Sequence, residues 1–294
     1  MSPSESAALF TSCLSTTYSQ SLVEATPGSA LDSRVVWLDG VLSAEECAAL
    51  TVAVDKSSSL TFWNPDASAE ARAFRNADTV EMNNPSLAEA LWARVCSPLS
   101  SAILPISFTQ DEDRELEGMW APAALNHDLL IAKYPPGGSF APHTDGRTTH
   151  DFNRRSFLSV IIFLNDIAAG GGTRFYKDEV LNRLLLDSAG RWTGAPSDET
   201  LLVSPVRGRI LVFDQDLVHE GVPPSDPHNK YIIRSDVMFQ RTPPACTSER
   251  DVEAYKMFRR AEDLAEAGDV QQSLALFAAS WKLSPAMSKM MGQS

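Results

Sequence analysis

The chain has 294 residues, 44% of them hydrophobic, with a formal net charge of −13. That length suits one large domain with an attachment, or two domains, and that apolar content supplies a sizeable core. The acidic balance argues against holding nucleic acid by its phosphates, which rewards Lys and Arg, and no apolar run approaches the roughly 20 residues that cross a membrane.

Residues 1–33 hold Glu5, Glu24 and Asp32, no Lys or Arg, and many Ser, Thr and Ala, which reads as a flexible or loosely docked N-terminal tail. Without a basic start or an uninterrupted apolar stretch, no secretory leader is expected there. Cys13, Cys47, Cys96 and Cys246 form no C-x-x-C pair. They read as reduced thiols of a cytoplasmic protein, with the nucleus as the second candidate compartment. Val35–Leu38 reads as a strand, and Ser43 with Glu46 as the capping box of a following helix. Leu87, Leu91 and Val95 recur at helical spacing and place a second helix over Ser86 to about Leu99. Asp111 to Glu117 is dense in charge and reads as a solvated loop.

Short strands separated by turns follow. Leu129–Tyr134 leads into the turn Pro135-Pro-Gly-Gly138, Ser156–Asn165 reads as a buried strand, and Gly170-Gly-Gly172 turns the chain into Thr173–Tyr176. After an insertion from Lys177 to Glu199, the strand Gly208–Phe213 leads to His219. Leu181, Leu184, Leu185 and Leu186 make that insertion a candidate for a partly packed lid; the alternative is a surface excursion. This arrangement is that of a mainly β protein with flanking helices, a jelly roll or double-stranded β-helix, whose mouth can host a metal. Pro243-Pro244 closes the block at 34–243. Residues 247–290 then read as a C-terminal helical hairpin, Glu253–Glu266 and Val270–Leu283 joined at Gly268-Asp269. The spacing of Ala261, Gly268, Ser273, Phe277, Ser280 and Pro285 is similar to a single tetratricopeptide repeat. One such unit cannot bury both faces, so it is expected to pack on the barrel, on a second copy or on a protein partner.

The candidate metal ligands stand in this frame. His143 and Asp145 lie two residues apart in Ala-Pro-His-Thr-Asp-Gly, and in a strand such residues share a face. His219, from a later strand, would complete two imidazoles and one carboxylate on one side of an ion, with three positions open. That pattern suits non-haem Fe(II), which needs vacancies for a co-substrate and O₂. The dipeptide alone is a weak signal, since a histidine hydrogen-bonded to a nearby carboxylate looks the same. His127, His150 and His228 lack the strand framing and read as structural or exposed: His127 opens a strand, His150 sits in a polar loop and His228 in a turn. In Lys230-Tyr-Ile-Ile-Arg-Ser-Asp-Val-Met-Phe239, alternation puts Lys230, Ile232 and Arg234 on one face. Facing inward, two cations beside a metal imply an anionic ligand; facing outward, they belong to an edge strand in solvent.

From about Val35 to Arg241 the chain resembles the Fe(II)/2-oxoglutarate-dependent dioxygenases, in particular their prolyl 4-hydroxylase-like branch. The elements that carry the resemblance are Leu42–Leu50, Arg75–Thr79, Tyr134–Gly138, His143-Thr-Asp145, Phe163–Asp166, Gly171-Gly-Thr173, His219-Glu-Gly, Lys230-Tyr231 and Arg234–Met238. The resemblance implies that His143, Asp145 and His219 ligate Fe(II). It implies that Lys230 or Arg234 holds the distal carboxylate of 2-oxoglutarate, with Tyr134 as a hydroxyl donor to it. Phe163 stands where some relatives have a tyrosine, so a hydrogen bond from that position is lost. The implied reaction consumes 2-oxoglutarate and O₂, with ascorbate as a candidate reductant. It yields succinate and CO₂ and hydroxylates a C–H bond, of a peptidyl residue such as proline or of a small molecule. Two other readings stand beside it: a non-catalytic interaction protein that keeps the barrel, and a cupin-like metal protein that uses no 2-oxoglutarate.

Overall fold

The computed structural model describes residues 3–15, 25–27, 34–57, 60–64, 68–103, 105–109, 113–225 and 227–293. Most of the expected N-terminal tail lies outside these, as do Asp111 and Glu112 of the charged loop. The chain forms two compact units, Met1–Ile103 with Ala124–Gly146 and Phe157–Val237, and Leu104–Ala123 with Arg147–Ser156 and Met238–Ser294.

The first unit is built on antiparallel sheets. The larger runs in the order Ala25–Pro27, Val35–Leu38, Ile210–Asp214, Arg154–Phe163, Lys230–Thr242, Asp128–Tyr134, Asp78–Asn83, Thr61–Phe62. A four-stranded sheet has the order Glu199–Val203, Thr173–Tyr176, His219–Gly221, Phe140–His143. Between the strand pairs at its two edges, the order of the larger sheet departs from chain order, as in a jelly roll. The inner core gathers Val35, Ala132, Tyr134, Ile161, Phe163, Phe175, Leu211, Phe213 and Ile232, all buried. Strand Arg154–Phe163 is buried at nearly every position, with Arg155, Ser156 and Ser159 enclosed along with its apolar residues, so buried and exposed positions do not alternate.

Local signals in this unit act as their chemistry dictates. Ser43 and Glu46 form the capping box of helix Ala44–Lys56. Glu46 also meets Arg94 of helix Pro85–Ala102 in a buried two-pronged pair, at 2.7 and 2.9 Å. Within the stretch expected as a tail, Pro3–Thr11 is helical, Phe10 is buried, and the Thr11 hydroxyl donates to Asn84. The lid expectation needs correcting. Leu181, Leu185 and Leu186 are exposed, and of the four leucines only Leu184 packs, against Tyr176, Val180 and Val218. Beside that apolar anchor, in which Val180 is fully buried, polar contacts hold the insertion. The Glu220 carboxylate accepts from the Tyr176 hydroxyl and, at 2.8 Å, from Thr193, while Arg191 donates to the Gly137 carbonyl at 3.0 Å.

In the second unit, helices Glu249–Glu266, Val270–Leu283 and Pro285–Met290 follow one another. Gly268, at φ +83°, makes the turn that a side chain would resist, and Ser273 donates to the Ala261 carbonyl at 2.8 Å. Ala254, Tyr255, Phe258 and Met287 bury one face against Phe152, while Val252, Val270 and Leu274 stay exposed. Two details differ from the sequence reading. His150 lies in a short strand, Thr149–Asp151, not a loop. Glu115, expected in solvent, pairs with the buried Arg155, and its carbonyl accepts from Arg241. Their guanidinium groups lie over the Trp120 ring, so the charge of Glu115 answers cations that aromatic packing has drawn inside.

Candidate metal centre

Strands Phe140–His143 and His219–Gly221 pair antiparallel with His143 directly opposite His219. Cross-strand partners on one face project side by side, and the two imidazole centroids lie 4.3 Å apart. Asp145 follows the first strand, its backbone N–H donating to the Gln215 carbonyl at 3.0 Å. Its two oxygens lie 3.7 Å from His143 Nε2 and 3.6 Å from His219 Nε2. Those separations are too long for hydrogen bonds, which removes the reading of a histidine simply bonded to a carboxylate. One ligand atom from each residue falls within 4.8 Å of the others.

The tautomers are set by the backbone. His143 Nδ1 lies 2.7 Å from the Ala141 carbonyl and His219 Nδ1 3.0 Å from the Leu217 carbonyl. A carbonyl only accepts, so each Nδ1 carries the proton and each Nε2 turns its lone pair toward Asp145. Burial holds both imidazoles below the ordinary 6.5 and keeps them neutral. Burial works against the charge of Asp145, yet the Arg234 guanidinium and the Ser159 hydroxyl, which donates at 2.5 Å, keep its carboxyl below the usual range. Two neutral nitrogens and an ionised carboxylate converging with no proton between them are a donor set that fits a divalent cation. The ring of Phe140 stacks on His143 at 3.6 Å and Phe213 meets His219 edge-on at 4.6 Å, which fixes both ring planes.

These ligands line a cavity of about 390 Å³, within the roughly 300–1,000 Å³ typical of small-molecule sites. Lys230, Ile232 and Arg234 line it too, so their shared face looks inward and the edge-strand alternative fails. The two cations differ. Arg234 lies 3.0 Å from Asp236 and 3.6 Å from Asp145, so its charge is matched. Lys230 is 3% exposed, and among the described residues its ammonium makes one hydrogen bond, a long one of 3.5 Å to the Gly172 carbonyl. Among the described residues it has no ion pair. Its ammonium lies over the rings of Tyr134 (5.0 Å) and Phe163 (5.9 Å), and burial lowers its pKa to about 7. A buried amine this poorly matched could receive a carboxylate, so the lining has donors for a metal and a counter-charge for an anionic co-substrate. Tyr134 sits opposite Lys230 in the strand register, its phenol buried and its pKa raised by that burial. His127, His150 and His228 take no part in the cavity.

Four contributors were not singled out for these roles from the sequence: Arg75, Phe140, Ser159 and Asp236. Two left a readable trace. Ser159 is a small polar residue two positions from the cavity-lining Ile161 in a buried strand, and Asp236 stands two positions from Arg234 with opposite charge. Phe140 and Arg75 meet through an isolated backbone bridge and a cation–ring contact between distant segments, which no local pattern announces.

Residues 129–235, the span that includes all three candidate ligands and Lys230, match the model of the 2OG-Fe(II) oxygenase superfamily. No curated protein matches the sequence. Among solved structures, the chain is similar to a viral collagen prolyl hydroxylase from Paramecium Bursaria Chlorella virus-1, at 15% identity, covering 72% of this chain and 99% of that one, with a TM-score of 0.42. It is similar to a prolyl-4-hydroxylase of Pseudomonas putida at 20% identity, 71% and 92% coverage and a TM-score of 0.42. A third is HygX from Streptomyces hygroscopicus, solved with nickel and 2-oxoglutarate bound, at 13% identity, 71% and 83% coverage and a TM-score of 0.43. The likeness to the 2OG-Fe(II) oxygenase superfamily thus lies in the segment 129–235, which carries the candidate metal centre.

Proposed function

We propose that the protein is a 2-oxoglutarate-dependent dioxygenase that hydroxylates a C–H bond of a peptidyl residue such as proline. One observation carries the reading: a proton-free His143–Asp145–His219 donor set shares its cavity with Lys230, a buried and unpaired cation. The three side chains would hold Fe(II). Lys230 would pair with the distal carboxylate of 2-oxoglutarate and Tyr134 would donate its hydroxyl to the same group. Arg234 takes a different part, since its contacts to Asp145 and Asp236 orient the metal-binding carboxylate. Bound Fe(II) and 2-oxoglutarate supply the oxidising power. The chain's own work is to hold both nitrogens deprotonated, fix the carboxylate through Ser159 and Arg234, and keep the surroundings apolar through Phe140, Ile161 and Ile232.

The peptidyl target rests on the prolyl 4-hydroxylase-like order of motifs; hydroxylation of a small molecule in the same cavity is the alternative. The four cysteines, all free, support a reducing compartment such as the cytoplasm. The exposed face of the C-terminal helices is offered as a contact for a protein partner or a second copy. The test is turnover of labelled 2-oxoglutarate with Fe(II) and ascorbate, with and without peptide and metabolite pools. Succinate and CO₂ should form with the wild-type chain and vanish in Asp145→Ala. Equal turnover in both proteins, or none in the wild type, refutes the assignment.

A further inference from the structure

Resting on that reading, the charges around the cavity balance except for one. Fe(II) would bring two positive charges, which Asp145 and the keto-acid carboxylate of 2-oxoglutarate match. The distal carboxylate matches Lys230, and Asp236, at 3.0 Å, matches Arg234. Arg75 remains. It lines the cavity, its Nε is buried without a hydrogen-bond acceptor, and among the described residues it has no ion pair. The excess is local, because the whole chain carries −13.

Arg75 is also held as a recognition group would be. It caps helix Ala69–Phe74, its carbonyl accepts from the Trp63 indole at 2.7 Å, and its backbone bridges Phe140. The guanidinium lies 4.6 Å from the centroid of Phe140 and 5.6 Å from that of Trp63. Aromatic faces stabilise the cation and limit its rotamers without using its N–H groups; one of these reaches the Tyr134 hydroxyl, and the buried Nε is left for an acceptor. Phe140 in turn stacks on the metal-binding His143. An anion held by Arg75 would therefore sit one ring away from the reacting centre.

We infer that the prime substrate carries a carboxylate close to the carbon that is hydroxylated, and that Arg75 binds it through a charge-assisted, forked hydrogen bond. Two sources share this chemistry: an acidic side chain next to the target residue of a peptide, or the carboxylate of a small amino or imino acid. A neutral prolyl segment alone leaves the guanidinium unmatched.

The test measures equilibrium binding by calorimetry, with Ni(II) in place of iron and 2-oxoglutarate present, so that no turnover occurs. The probes are two pairs: heptapeptides with Asp or Asn beside a central proline, and free L-proline or L-prolinamide. The wild type should bind one acid about ten- to a hundredfold more tightly than its uncharged twin, and the pair that responds identifies the source. Arg75→Gln should abolish that preference and Arg75→Lys should restore part of it, which simple misfolding would not do. Equal binding within both pairs, or a preference that survives in Arg75→Gln, overturns the inference. Loss of 2-oxoglutarate binding in Arg75→Gln overturns it too, by assigning the arginine to the co-substrate. If the wild type itself fails to bind 2-oxoglutarate, the parent reading falls instead.

Discussion

Replacing Lys230 by Met should make the metal-free protein harder to unfold while removing its hold on 2-oxoglutarate. Lys230 is 3% exposed, and burial lowers its pKa from 10.5 to about 7. The unfolded chain keeps the proton up to about 10.5, whereas the folded chain gives it up near 7. Between those values the unfolded state binds more protons, so stability rises with pH through that window. Below it, both states are protonated and the whole cost of burying the ammonium is present. A gap of roughly 3.5 units at 1.36 kcal/mol each sets that cost at about 5 kcal/mol. At pH 9 the same relation leaves about 2 kcal/mol. Met keeps the apolar stem against Tyr134 and Phe163 and has no charge. The gain from Lys230→Met should therefore be about 3 kcal/mol larger at pH 6 than at pH 9. Urea unfolding of ligand-free wild type and variant at the two pH values measures it, since every other titrating group cancels in the difference. A variant no more stabilised at pH 6 than at pH 9 refutes the argument that Lys230 is a buried, unmatched charge. A bound carboxylate should return the proton to Lys230. Wild type should thus bind 2-oxoglutarate more tightly at pH 6.5 than at 8.5, and calorimetry of the variant should show the binding lost.

Two further outcomes are expected. Burial holds His143 and His219 below 6.5, so protons compete for them only at lower pH. Ni(II) affinity should change little from pH 7 to 5.5, and a fall approaching 100-fold, the loss from two ordinary imidazoles, would show that neither is shifted. Arg94→Met strands the Glu46 carboxylate, 5% exposed, and should cost about 3–5 kcal/mol in chemical denaturation. The double variant Arg94→Met/Glu46→Leu should recover much of that loss, and no recovery would show that the pair is not the cause.

Legibility in the sequence followed the range of each interaction. The capping box of Ser43 and Glu46, the helix from Leu87 to Val95 and the shared face of Lys230 and Arg234 depend on neighbours a few residues away, and each appears where spacing puts it. The leucines of the 177–199 insertion left a partly packed lid and a surface excursion both open, because apolar composition does not say which side chains are buried; Leu184 packs and the other three are exposed. The insertion is fastened by the buried Val180, by Thr193 on Glu220 and by Arg191 on the Gly137 carbonyl, contacts between segments that periodicity does not connect.

The order of residues alone singled out His143, Asp145 and His219 as candidate ligands, although the strand ends at His143 and Asp145 lies just past it, so the two-residue repeat does not by itself place the carboxylate. Only the folded chain decided what those side chains are able to do. Cross-strand register set His143 against His219, and backbone carbonyls chose their tautomers. The packing also separated Lys230 from Arg234, since Asp236 answers one cation and nothing charged lies within ion-pair reach of the other among the described residues. Partners for a charge are a matter of distance in space, and a linear pattern records only distance along the chain.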